Sequence, residues 1–241
     1  KQNNCNFFFK HRNIMTKKSS NHSKSYREEL INSIEVKFIF SKKPINRFKI
    51  NETNFNKIEQ INELKRKINS IQNCNLKDNS KNIVLGDGNL DSPIMIVGEA
   101  PGPEEEEKNK TFQGESGALL ERMLLAIGLK KNNVYSSYAI NFRPPEDRKP
   151  TSQEIKKYSI FLKEHISIIN PKILILLGST AMESILSSNK KISNERGKWK
   201  EIILNNKTYP IMITFNPSYL MRFPENKKFS WEDLKRIKQK I

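Results

Sequence analysis

Four short stretches combine chemically active residue types with the glycines and prolines that hold a loop in place. In the first, Gly98-Glu99-Ala100-Pro101-Gly102 is followed by Pro103 and glutamates at 104–107. Glycine lets a backbone approach a ligand closely, and proline stiffens the loop around it. No Lys-Ser/Thr pair follows, and a run of carboxylates repels phosphate, so this loop is not a phosphate cradle. Most of the acidic run is expected to be a solvated helix start. A little further on, Phe112 in Thr111-Phe112-Gln113-Gly114 suits either core packing or a platform for a flat base.

The third stretch is Asn141-Phe142-Arg143-Pro144-Pro145-Glu146-Asp147-Arg148, where the prolines lock a loop and Arg143 and Arg148 offer forked donors suited to phosphate oxygens. The fourth is Phe215-Asn216-Pro217-Ser218-Tyr219-Leu220-Met221-Arg222: an amide, a rigid turn, then bulky apolar groups beside an arginine. Apolar wedges flanked by basic groups suit insertion into a base stack. A capped turn with Leu220 in the core fits that run equally well.

These stretches follow strands in an alternating β/α pattern. Apolar runs over 94–97, 134–140 and 173–177 read as buried strands, and 202–204 with 209–214 as a hairpin around Asn205-Asn206-Lys207. Helices are expected over 55–72, 116–127 with Ser116 as cap, 153–168, 180–186 and 231–240, and a turn at Gly86-Asp87-Gly88. The expected fold is a three-layer α/β/α sandwich around a central, mainly parallel four-stranded sheet. Its site belongs at the strand C-termini, after Val97, Ile140, Leu177 and Thr214.

The chain has 241 residues, 43 Lys+Arg against 26 Asp+Glu, and 2 Cys. No apolar run approaches the roughly 18–20 residues of a membrane span, and the apolar stretch at residues 7–9 is shorter than the roughly 7–15 residues of a secretory leader. A cytoplasmic place, at the nucleoid, is expected. Cys5 and Cys74 are too few for a disulfide framework or a four-cysteine metal site made by this chain alone. The net charge of +17 is uneven: residues 1–50 hold 12 basic and 3 acidic groups, 51–150 hold 14 and 15, and 151–241 hold 17 and 8. A basic surface favours polyanions such as nucleic acid. Residues 1–54 are expected to be a basic, partly disordered extension, and 55–241 the folded domain.

Taken together, the loops resemble the family 4 uracil-DNA glycosylases. The resemblance spans roughly residues 70–241. It rests on Gly98 to Gly102, Phe112 with 114–120, Arg143-Pro144-Pro145, Pro171-Lys172, Leu177-Gly178, Arg196-Gly197-Lys198-Trp199 and 217–222. It implies a monofunctional enzyme that acts as a monomer, flips uracil or a related deaminated base out of DNA, and cleaves its N-glycosidic bond to leave an abasic site. Glu99, Glu105 and Asn216 would then be catalytic. Gly98, Ala100, Pro101, Gly102, Phe112, Tyr138 and Asn141 would hold the base. Arg143, Arg148, Arg196, Lys198, Ser218, Tyr219, Leu220, Met221 and Arg222 would hold DNA, with Tyr219 to Arg222 filling the gap left by the flipped base.

Departures from the family pattern concern a cofactor and the pocket. The family usually carries an iron–sulfur cluster on cysteines; of the matching positions only Cys74 is cysteine, the others being Lys77, Phe142 and Tyr158. No cofactor is expected, and no metal. In the pocket, Tyr138 stands where the family usually has the Asn that reads the uracil edge, and Asn216 where it usually has His. The alternative reading is therefore a catalytically weakened or inactive DNA-binding homologue. Relatives that trap DNA through a loop histidine are a poor match, since no His lies between 166 and 241. A nucleotide-binding transferase lacks its glycine fingerprint or P-loop.

Overall fold

A computed structural model describes residues 57–241 apart from 73, 188 and 189. The basic extension expected over 1–54 lies outside the described residues. In chain order the elements are α1 (Lys57–Asn69), α2 (Asn75–Asp78), β1 (Gly86–Gly88), β2 (Ile94–Gly98), α3 (Pro103–Lys108), α4 (Gly114–Ala126) and β3 (Tyr135–Tyr138). They continue with α5 (Ser152–Ile169), β4 (Ile173–Leu177), α6 (Ser179–Leu186), α7 (Ile192–Glu195), β5 (Trp199–Leu204), β6 (Lys207–Thr214), α8 (Pro217–Arg222) and α9 (Lys227–Lys238).

The sheet has six strands in the order β1-β3-β2-β4-β6-β5. Its inner four, β3, β2, β4 and β6, are mutually parallel, as expected. The expected count of four is corrected by two antiparallel edges. Gly86-Asp87-Gly88, expected as a turn, is β1 and pairs with β3. β5, from the hairpin, pairs with β6. A three-residue strand with two glycines carries no apolar alternation, and only its partner β3 makes it a strand. Gly86 is needed there, because a Cβ would lie 2.4 Å from the Tyr135 hydroxyl oxygen.

The sheet is buried on both faces. Ile94, Ile96, Ile173, Ile175 and Met212 face α4 and α9 through Leu120, Leu124, Leu234 and Ile237. The alternate residues Met95, Val97, Leu174, Leu176 and Ile211 face α5 and α6 through Leu162, Ile166, Met182 and Ile185. This period-2 division explains why the strands read as unbroken apolar runs. Each fully buried side chain such as Leu174 contributes roughly 1.5–3 kcal/mol. A third cluster joins α1 to α5 through Leu64, Ile68 and Tyr158.

Caps set several helix bounds. At the start of α5, Thr151 Oγ1 accepts from Glu154 N at 3.3 Å, and Thr151 N donates to Glu154 Oε2 at 2.8 Å. α4 begins at Gly114, ahead of the expected Ser116, and α9 begins at Lys227, ahead of 231. The inner strands all end toward one rim, where the loops after Gly98, Tyr138, Leu177 and Thr214 meet.

Candidate functional site: a base-sized pocket opening into a basic groove

The rim holds two adjoining depressions. The smaller, about 280 Å³, is lined by the loop from Glu99 to Pro103 with Glu105, Phe112, Ser116, Tyr138, Pro144 and Arg148. The larger is a groove of about 790 Å³. Glu99, Asp147, Asn216 and Ser218 line both and form their common edge.

Gly98 makes the small pocket possible. A Cβ there would lie 2.8 Å from Phe112 Cζ and 2.8 Å from Tyr138 Cδ1, so only glycine lets both rings close over the strand end. Backbone pairing continues past the strands, from Ala139 N to Gly98 O at 2.9 Å and from Ile140 N to Glu99 O at 3.1 Å. These bonds hold the Glu99 backbone, while Thr180 Oγ1 donates to its Oε2 at 2.7 Å. Among the described residues nothing donates to Glu99 Oε1, which stays available at the edge of the pocket.

The acidic run is not the solvated helix start expected. Glu105 and Glu106 are buried, and only Glu104 and Glu107 are exposed. Glu105 ties two loops together: Oε2 accepts from Gly102 N at 3.0 Å and Oε1 from Gln113 N at 2.8 Å. Glu106 accepts from Ser80 Oγ at 2.6 Å and Lys81 N at 2.7 Å, and faces the Arg143 guanidinium at 3.5 Å. Burial alone would raise its pKa, but these donors outweigh it and hold the carboxyl below its ordinary range. The run therefore contributes clamps, and sequence spacing gave no sign of their partners.

Phe112 sits in a left-handed conformation, φ +49°, which a bulky residue keeps only under constraint. The constraints are visible. Phe112 N donates to the Tyr138 hydroxyl at 2.8 Å, and Lys131 Nζ donates to Phe112 O at 2.8 Å. Gly117 leaves room for that carbonyl, since a Cβ there would lie 1.9 Å from it. The Phe112 and Tyr138 rings lie 5.0 Å apart at 42°. Burial, then the nearby Glu105 charge, push the Tyr138 pKa up, so its phenol stays neutral. Tyr138 floors the pocket without filling it, and its hydroxyl serves the Phe112 backbone.

Asn216 is the N-cap of α8: its Oδ1 accepts from Ser218 N at 3.1 Å. That bond orients the amide and, among the described residues, leaves Nδ2 without an acceptor. Gly178, at φ +95°, lies close beneath, where a Cβ would come 3.2 Å from Asn216 Cβ. Asn141 does not join this group. It is buried at the β1 edge, where its Nδ2 donates to Val84 O at 3.2 Å.

The expected DNA-contacting residues divide. Arg143 is bidentate to Asp147, at 2.7 and 2.8 Å, and this pairing lowers the Asp147 pKa. Arg148 is bidentate to Glu154, at 2.9 and 2.7 Å. Arg196 pairs with the buried Asp233, whose pKa burial raises, and its guanidinium lies between the Phe215 and Phe229 rings at 5.7 and 5.2 Å. These arginines brace loops. Leu220 is 1 % exposed and packs inward, so it is a core residue and not a surface wedge. Ser218, Tyr219, Met221, Arg222 and Lys198 reach the surface. Sequence reasoning missed Lys131, Thr180, Asp233, Lys149 and Lys191; only the basic ones carried a signal, and it was lost in a lysine-rich chain.

Comparison with known proteins identifies the family. The profile of the uracil DNA glycosylase superfamily covers residues 85–235, from β1 to the last turns of α9. The chain belongs to this superfamily. It is 37 % identical over 171 residues to a type-4 uracil-DNA glycosylase of Thermotoga maritima, covering 70 % of this chain and 88 % of the relative. For a type-4 uracil-DNA glycosylase of Archaeoglobus fulgidus the identity is 32 %, covering 75 % and 92 %. One from Sulfurisphaera tokodaii is also 32 % identical, covering 76 % and 85 %. These type-4 relatives place the chain among glycosylase enzymes.

Within the superfamily, the positions that the resemblance assigns to an iron–sulfur cluster lie partly together. Cys74 Sγ is 3.2 Å from the Tyr158 hydroxyl, and the Phe142 ring is 6.3 Å from the Tyr158 ring. Lys77 turns its ammonium to the carbonyls of Asn69 and Ile71. Around them Leu76, Ile83, Leu85, Ile140 and Ile155 form an apolar cluster. A cluster of this kind needs thiolate ligands. One thiol, a phenol and a phenyl ring do not fit it, and packing joins these segments instead. Among the described residues no helix is long and apolar enough to cross a membrane.

Proposed function

We propose that the protein is a monofunctional glycosylase that flips uracil, or a related deaminated base, out of DNA and hydrolyses its N-glycosidic bond to leave an abasic site. The observation that carries this reading is the meeting of Glu99 and Asn216 on the common edge of the small pocket and the basic groove. A flat base entering the pocket meets the Phe112 ring, held rigid by Tyr138 and Lys131. As the bond to the sugar breaks, its electron pair leaves with the base. The Asn216 amide donates a hydrogen bond to the oxygen where that charge gathers; one such donor accounts for about 10²–10³ in rate. Glu99 Oε1 orients the water whose oxygen bonds to the sugar carbon, and the water's proton passes to the carboxylate. Glu105, with each oxygen already accepting a backbone N–H, keeps this loop in shape.

The reading needs no metal, no iron–sulfur cluster and no covalent enzyme intermediate. The protein acts as a monomer on uracil-containing DNA at the nucleoid. Incubation with a uracil-containing oligonucleotide followed by alkali tests it. Strand scission at the uracil is expected. Binding with no scission at high enzyme concentration would overturn the reading in favour of a DNA-binding homologue that has lost the chemistry.

A further inference from the structure

Phe215, Tyr219 and Phe223 form a ladder of rings that leads out of the site along α8. The Phe215 and Tyr219 rings stack at 5.0 Å and 29°, and those of Tyr219 and Phe223 lie 4.8 Å apart at 36°. Phe215 lies just before α8 and Phe223 just after it, and residues four apart share one side of a helix, so the short helix spaces the three rings. Asn226 Nδ2 donates to the Tyr219 hydroxyl at 3.0 Å and fixes the middle ring. The inner ring is buried beside Asn216, whereas Phe223 is 44 % exposed and Met221 next to it 37 %.

The ladder borders cations. Phe215 and Tyr219 line the large groove with Lys149, Lys191 and Arg222, and the groove shares its edge with the base pocket. Lys227 and Lys228 follow at the outer end, with Lys228 Nζ 5.1 Å over the Phe229 ring. Among the described residues, no carboxylate pairs with Lys149, Lys191, Arg222, Lys227 or Lys228, in contrast to Arg143, Arg148 and Arg196.

We propose that the outer end of this ladder is a stacking platform for an unpaired base some way along the strand from the one in the pocket, and that the groove takes single-stranded DNA. An open ring such as that of Phe223, with cations that no carboxylate pairs nearby, accepts a base face and its phosphates together, with little dependence on sequence. In a duplex the faces of neighbouring bases are already covered, so an outermost ring gains little from it. The inference rests on the reading of the site as one that takes a base from DNA, and it adds which form of DNA.

The test measures affinity of the full chain, at one fixed salt concentration, for an oligothymidylate of about 15 nucleotides and for the same strand in duplex. Phe223→Ala is expected to weaken single-strand binding about tenfold, with Phe223→Tyr near wild type and duplex affinity unchanged. Equal losses on both forms, or no loss on the single strand, would overturn the platform. The probe contains no uracil, so catalysis does not enter. A chain that excises uracil but is indifferent to Phe223→Ala refutes the platform alone. One that binds the strand through Phe223 but never excises uracil refutes the proposed function alone.

Discussion

The pocket and the groove meet along one edge yet are built on opposite plans. In the pocket the protein occupies its own polar groups. Glu105 holds Gly102 and Gln113, Tyr138 holds Phe112, and Arg148 is committed to Glu154. In the groove Lys191 and Arg222 carry no carboxylate among the described residues, and the rings stack outward. A pocket that selects one base needs fixed walls, and internal hydrogen bonds supply them. A surface that follows a charged, flexible strand needs cations free to move to phosphates. The two groups left unsatisfied on the pocket side, Glu99 Oε1 and Asn216 Nδ2, mark where the chemistry belongs.

The largest effects should come from those two groups. Glu99→Gln should lower kcat by about 10²–10⁴ while leaving DNA affinity unchanged, measured by single-turnover excision and by binding. Asn216→Ala should lower kcat by about 10²–10³; a loss confined to KM would show that the amide holds the ground state only. Tyr138→Phe keeps the ring but leaves the buried Phe112 N–H without its acceptor. It should cost about 1–3 kcal/mol in denaturant unfolding and raise KM, because the stacking ring loosens. If stability is unchanged, Phe112 is held by Lys131 alone.

On the groove side the effects are smaller. Arg222→Ala should reduce the slope of log affinity against log salt by about 1 without changing kcat. The same slope in wild type and variant would mean that Arg222 meets no phosphate. The pocket's own ion pairs respond to acid instead. The Arg148 guanidinium lowers the Glu154 pKa from 4.5 to about 2. A depressed carboxyl stabilises the fold above its unfolded pKa, and that stabilisation fades as pH falls from 4.5 toward 2. Glu154→Gln should therefore flatten the pH dependence of unfolding in that window, as urea titrations at several pH values would reveal.

Much of the frame was legible from residue order. The inner strands, the body of α5 and the hairpin at Asn205-Asn206 follow from apolar runs and turn residues that act locally, whereas the Thr151 cap of α5 was seen only in the structure. So does the placement of the four loops, because parallel strands joined by helices must all end on one rim. The composition also shows that four thiolates are beyond this chain. What the tertiary structure decided is how each polar side chain is used. Glu105, Glu106, Tyr138 and Arg196 find partners at Gln113, Ser80, Phe112 and Asp233, contacts that no periodicity encodes. Leu220 turned inward and Met221 outward by the rotation of a single helix residue, and β1 became a strand only beside β3. Local sequence determines where the chain bends and which stretches are apolar; only the packed neighbours determine whether a charge is spent inside the protein or left for a ligand.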